Sequence, residues 1–195
     1  MTINRPSALV LMSVLLLAAV FPQALAQDEL EREGYFEVRS ATTGLVDGVH
    51  TLDARLQLVL SSEALAALDA GVPLTIELQL ELLRQRRFNF DAVDAELEVR
   101  YTLEYRPLTQ RYLLRNVNSG NQESFATLYS ALNTLGRVQN LPIIDDSLLR
   151  ENRSYRVRLR ALLNTQQYPA PLRFVFFWRN EWQLKSEWFQ WPLER

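Results

Sequence analysis

Cysteine is missing from all 195 positions. Its absence excludes disulfides, thiolate nucleophiles and cysteine-held metals, and it also excludes the acylated cysteine of a lipoprotein. Histidine occurs once, at His50. A catalytic zinc site draws three or four ligands from Cys, His and carboxylates, so this chain is a poor source of one. Six glycines leave little material for a phosphate-cradling loop. No dinucleotide fingerprint, phosphate-binding glycine loop or G-x-S-x-G elbow is present. These gaps leave no cofactor and no metal to expect. Lysine also occurs once, at Lys185, and every other basic residue is arginine. The 21 basic and 23 acidic residues nearly cancel, at a net charge of −2. A nucleic-acid binder carries a clear basic excess, so nucleic acid is excluded as a partner.

The clearest positive feature is at the front. Arg5 precedes an apolar run from Ala8 to Phe21, broken only by Ser13. Pro22 follows, then Ala24-Leu25-Ala26. A charged start, a short apolar stretch and a small-x-small site make a secretory signal. The run is shorter than the roughly 20 residues a spanning helix needs. We expect residues 1–26 to be removed on export to the periplasm. The alternative is an uncleaved segment anchored in the inner membrane. Residues 27–33 (QDELERE) then form a charged, flexible leader, and residues 34–195 a single domain.

That domain reads as strands. Leu52, Ala54, Leu56, Leu58 and Leu60 alternate with polar residues, a period of two. Leu74, Ile76, Leu78, Leu80 and Leu82 repeat the pattern, with Thr75, Glu77, Gln79 and Glu81 facing the other way. Leu97, Val99, Tyr101, Leu103 and Tyr105 do so again. Arg106-Pro107-Leu108-Thr109 supplies a turn with proline second, and Arg111 to Val117 the returning strand. Tyr155, Val157 and Leu159 alternate with Arg156, Arg158 and Arg160. Leu172 to Trp178 and Trp182 to Gln190 suit a terminal hairpin. Two helices interrupt the strands. Ser61 to Gly71 has a capping serine, a terminal glycine and Pro73 beyond. Glu123 to Leu135 carries Phe125, Leu128, Tyr129, Leu132 and Leu135 on one face. Ser119 or Asn121 can cap that helix, and Gly136 can end it. Pro142 and Asp145-Asp146 mark a connection. Clean alternation favours antiparallel pairing. The expected fold is mainly β, an antiparallel β-sandwich-like domain with one or two short packed α-helices.

Three stretches taken together carry a resemblance. They are Gly71-Val72-Pro73-Leu74, the run Tyr105 to Tyr112 (YRPLTQRY), and Ser124-Phe125-Ala126-Thr127-Leu128 with Ala131-Leu132. The chain resembles an uncharacterised family of exported proteobacterial proteins, a domain of unknown function, over roughly Tyr35 to Trp191. Arg84 to Asp91 also resembles the family's R-x-R-aromatic stretch and departs from it at Arg87. The resemblance implies export into a Gram-negative envelope and an association with membrane sensor kinases similar to those of nitrogen regulation. It implies no catalytic residue.

The candidate sites are few. His50 has Asp47 and Asp53 near it in sequence, yet the surrounding residues read as an ordinary turn entering a strand. Asp91, Asp94 and Glu96 are the densest acidic group, with arginines close by. The row Arg156, Arg158 and Arg160 either pairs with glutamates across strands or faces a groove for an anionic lipid or glycan. Arg84 and Arg86, with Arg87, form a second basic group. All four tryptophans fall near the C-terminus. Trp182 and Trp188 share a face and Trp191 is out of phase. Such rings either build a core layer or form a platform for sugar or membrane. The expected function is a non-enzymatic envelope accessory that binds an envelope or membrane protein. The alternatives are an anionic lipid- or glycan-binding module and an unrecognised hydrolase.

Overall fold

The computed structural model describes residues 33–86, 90–164 and 184–194. The expected signal, nearly all of the leader, Arg87, Trp178, Trp182 and the first strand of the terminal hairpin lie outside the described residues.

β1 (Tyr35–Val46) and β2 (Val49–Val59) form a hairpin. Asp47 and Gly48 close it at φ 49° and 80°, the left-handed pair of a two-residue turn whose twist matches the strands. α1 (Ser62–Asp69) follows as the sequence predicts. The Ser61 hydroxyl accepts a hydrogen bond from the Ala64 N–H at 3.3 Å, relieving one unpaired donor of the first turn. At the far end Gly71 sits at φ 82°. Its N–H donates to Leu68 O, and that of Val72 donates to Ala67 O, so the last carbonyls are satisfied before Pro73.

β3 (Leu74–Arg84), β4 (Ala92–Arg106), β5 (Arg111–Asn116) and β6 (Gln122–Phe125) then run antiparallel in succession. α2 (Leu128–Leu135) leads to β7 (Arg137–Asp145), a single 3₁₀ turn at Asp146–Leu148, β8 (Tyr155–Asn164) and β9 (Phe189–Pro192). Two antiparallel sheets result. The small one has the order β1-β2-β7, and the large one β6-β5-β4-β3-β8-β9. Leu74, Ile76, Leu78, Leu80 and Leu82 of β3 share one core with Val157, Leu159 and Leu163 of β8 and with Phe36, Val38, Leu52 and Leu58 of the small sheet. This is the expected mainly-β, sandwich-like domain with two helices.

Two expectations need correction. The helix does not begin near Glu123. Residues Gln122–Phe125 are a strand paired to β5, with Tyr112 opposite Phe125. The helix starts at Leu128, where the Thr127 hydroxyl caps the Ser130 N–H at 3.2 Å. Helical spacing of apolar residues gave way to the hydrogen bonds that an open sheet edge offers. Pro142 is likewise not in a connection but inside β7, opposite Thr51. β7 is the edge of the small sheet, where a missing N–H costs no ladder bond.

One burial differs from the sequence reading. β3 is central, and its polar face is covered too: Thr75 and Glu77 are buried alongside the leucines. Among the described residues no helix is long and apolar enough to cross a membrane.

Candidate functional site

The second face of the large sheet holds the charged ladders. The antiparallel register sets Glu81 opposite Arg158 and Gln79 opposite Arg160. Arg158 Nε donates to Glu81 Oε2 at 2.8 Å, and a terminal guanidinium nitrogen donates to the same oxygen. Arg160 Nε donates to Gln79 Oε1 at 2.7 Å. Both guanidinium carbons lie over Trp188, 4.3 and 4.2 Å from its ring centroid. That geometry suits attraction between cation and ring, and it covers the two arginines. Arg156 is more open. It reaches Gln190 at 3.4 Å and Asp91 at 3.9 Å.

Glu77 lies at the centre of the same face. Burial alone would raise its pKa. Hydrogen bonds with Glu98, Asn164 and Gln79, and the charge of Arg100, outweigh burial and hold it below the usual range. Glu98 moves the opposite way. Its hydrogen bond with Glu77 raises its pKa, burial adds to this, and Arg100 opposes both. The two shifts run in opposite directions because each carboxyl bears on the other. Glu77 has partners on both oxygens, so the arrangement braces three strands. No local pattern points to this pair, because β3 and β4 meet only through their register.

The other predicted residues are placed as follows. Arg84 grips Asp94 with two parallel bonds, at 2.8 and 3.1 Å. This contact lowers the Asp94 pKa and raises that of Arg84. Arg86 is exposed, and its backbone N–H donates to Asp91 at 3.4 Å. Trp188 and Trp191 are both half-buried; Trp191 packs on Phe189 at 5.9 Å between centroids. His50 is fully buried. Its Nε2 lies 2.8 Å from Asp146 Oδ1, not against Asp47 or Asp53. Asp91, Asp94 and Glu96 do not converge: the first two face arginines, and among the described residues no three acidic or histidine side chains are grouped to hold a metal ion.

A feature the sequence reading passed over lies at one end of the large sheet. The β4–β5 turn, read only as a turn, walls a groove of about 540 Å³. Pro107, Leu108 and Leu113 give it apolar lining, and Arg106, Arg111 and Ser124 its polar rim. Leu108 is fully exposed there. Arg111 Nε donates to the Ser124 hydroxyl at 2.8 Å and a terminal nitrogen to the Ser124 carbonyl at 2.7 Å. The groove lies over the β4–β5 turn and the start of β5 and touches β6, an edge among the described strands, at Ser124.

Fold and face together define an antiparallel two-sheet β-domain with an internally paired charged face and an arginine-rimmed groove at one end of the large sheet. The chain belongs to the family described as a domain of unknown function, DUF4390, whose model matches residues 34–192. No curated protein and no solved structure matched the chain.

Proposed function

We propose that this chain is an exported, non-enzymatic envelope domain that binds another protein, the outer part of a membrane protein in particular. The observation that carries the reading is the groove beside β6. An exposed leucine, an apolar floor and two guanidinium groups meet there next to Ser124 of β6, an edge strand among the described residues. An extended segment can add its backbone to such an edge and set alternate side chains into the groove. Exposed Arg111 at the rim favours a segment with acidic residues, while Arg106 is held by Glu104 at 2.8 Å. The arginine row fits an anionic ligand less well, because Arg158 and Arg160 already hold Glu81, Gln79 and Trp188. Export is supported by the Arg5, Ala8 to Phe21 and Ala24-Leu25-Ala26 pattern.

Site-specific photo-crosslinking tests the reading. A benzophenone side chain replaces Leu108 in the full-length protein, with a second at Leu148 as control. Leu148 is also well exposed and belongs to the 3₁₀ turn beside β7. Irradiation of intact cells is expected to give one recurrent membrane-protein adduct from position 108 and none from 148. A folded, periplasmic protein that gives no adduct from position 108 overturns it.

A further inference from the structure

The β6 edge is guarded by a side chain of its neighbouring strand. In an antiparallel ladder, successive residues turn their backbone N–H and C=O alternately to one side and to the other. The Val117 N–H donates to the Arg100 carbonyl beside β5, and the Asn116 N–H donates to the Asn121 carbonyl, both at 2.8 Å. The register carries that alternation along β6, where Leu114 stands opposite Glu123 and Tyr112 opposite Phe125. Glu123 and Phe125 therefore turn their backbone groups toward β5, and Gln122 and Ser124 turn theirs away from the sheet. One of these outward groups is already taken. The Ser124 carbonyl accepts from a terminal nitrogen of Arg111 at 2.7 Å, while Arg111 Nε holds the Ser124 hydroxyl. Arg111 and Arg115 share one face of β5, and both are exposed. Among the described residues neither pairs with a carboxylate. Glu104 is held by Arg106, and Glu123, opposite buried Leu114, lies on the other face.

We propose that Arg111 selects the segment that β6 accepts. It closes the Ser124 carbonyl until an acidic side chain of an incoming antiparallel strand draws the guanidinium away, so the partner is an extended segment with carboxylates at alternate positions. This deepens, and rests on, the reading of the groove beside β6 as a protein-binding site. A strand residue opposite Ser124 exchanges two backbone hydrogen bonds with it and sets its side chain on the Ser124 side of the sheet, the face of Arg111. The strand spacing of about 4.8 Å brings a glutamate there within reach of the guanidinium. The residue opposite Gln122, two positions along, meets Arg115 across Gln122 on the same face. A carboxylate gives Arg111 a charge-assisted bond in exchange for the carbonyl it surrenders. An uncharged segment would take that carbonyl and return nothing. A second copy of this chain is a poor occupant. Two β6 edges in antiparallel contact would bring the Arg111 and Arg115 side chains of both copies together, with no acid of β5 or β6 on that face to separate them.

The test uses protein purified from the full chain, with fluorescent peptides as probes read by anisotropy. One peptide alternates valine with glutamate and a second alternates valine with glutamine. A third is the glutamate peptide methylated on its glutamate backbone nitrogens. The glutamate peptide is expected to bind about tenfold more tightly than the glutamine one, and the methylated one not at all. Arg111→Ala should abolish the preference from both sides. It weakens the glutamate peptide and, by freeing the Ser124 carbonyl, tightens the glutamine peptide, a shift that misfolding does not produce. Arg115→Ala should weaken the glutamate peptide alone. Gln122→Pro removes an outward donor and no bond to β5, and it should release both peptides. A preference that Arg111→Ala leaves intact overturns the proposal, as does equal binding of the glutamate and glutamine peptides; both outcomes leave the protein-binding reading standing. Binding of neither peptide, or binding indifferent to methylation and to Gln122→Pro, overturns strand addition at β6 and the proposal with it. A dimer in analytical ultracentrifugation that Gln122→Pro dissolves also overturns it, by placing a second copy on the edge.

Discussion

Gly136 shows how one missing methyl group positions a whole element. It is the C-cap of α2 at φ −71°, a value that any residue adopts. Its constraint is contact. A Cβ there would stand 2.5 Å from the Leu56 carbonyl oxygen of β2, and the Gly136 carbonyl accepts from the Leu56 N–H at 2.8 Å. Alanine gains up to about 1 kcal/mol in helix propensity. Forcing a strand backbone aside costs about 1–3 kcal/mol, so the clash wins. Gly136→Ala is expected to destabilise the domain by about 1–2 kcal/mol in urea unfolding. The Arg84–Asp94 pair gives a pH signature. Its native carboxyl pKa lies below the ordinary 3.8, chiefly through the hydrogen bond from Arg84. A lowered acid contributes stability that is fully present above the unfolded value and is lost as pH falls through the native one. Asp94→Asn should therefore lower the urea midpoint at pH 6. The gap to the parent protein should close below pH 3.8, and a gap independent of pH would refute the assignment.

At the scale of elements, the capping residues decide where helices begin. Thr127 has extended backbone angles, and its hydroxyl takes up the Ser130 N–H. Thr127→Ala should cost about 1 kcal/mol, read from the thermal midpoint. Thr127→Ser should cost almost nothing, since serine caps as well. The elements most legible in the sequence were those whose local signals agreed. Ser61, Gly71 and Pro73 bracket α1, and the alternating leucines of β3 lie in the core. The misread elements were those settled by a distant partner. Phe125 has helical spacing to Leu128, yet β5 draws it into a strand. Pro142 resembles a breaker, yet the edge position of β7 tolerates it. The same limit applies to the sites. The opposition of Glu81 to Arg158 was readable as a class of contact but not as a register. The stacking of Trp188 on both arginines depends on where the last strand docks, which no local pattern encodes.

At the scale of the whole molecule, the described strands leave four sheet edges, and they are not alike. β1 loses register between Val38 and Ser40, and β7 carries Pro142 and a left-handed Asn140. β9 ends in Pro192. Bulges and prolines of this kind discourage pairing with a foreign strand. β6 has neither, and its register with β5 is regular. An incoming strand is therefore steered to one border. The length of β4 adds a second constraint. Its 15 residues run from Ala92 to the turn bearing Leu108. At about 3.3 Å per residue it separates those ends by roughly 50 Å. β4 thus acts as a ruler that fixes how far the Leu108 turn stands from the Arg84–Asp94 end of the sheet. An odd insertion in β4 would turn its core residues outward, whereas an even one would not. That distance can therefore change only in steps of about 7 Å, the rise of two residues.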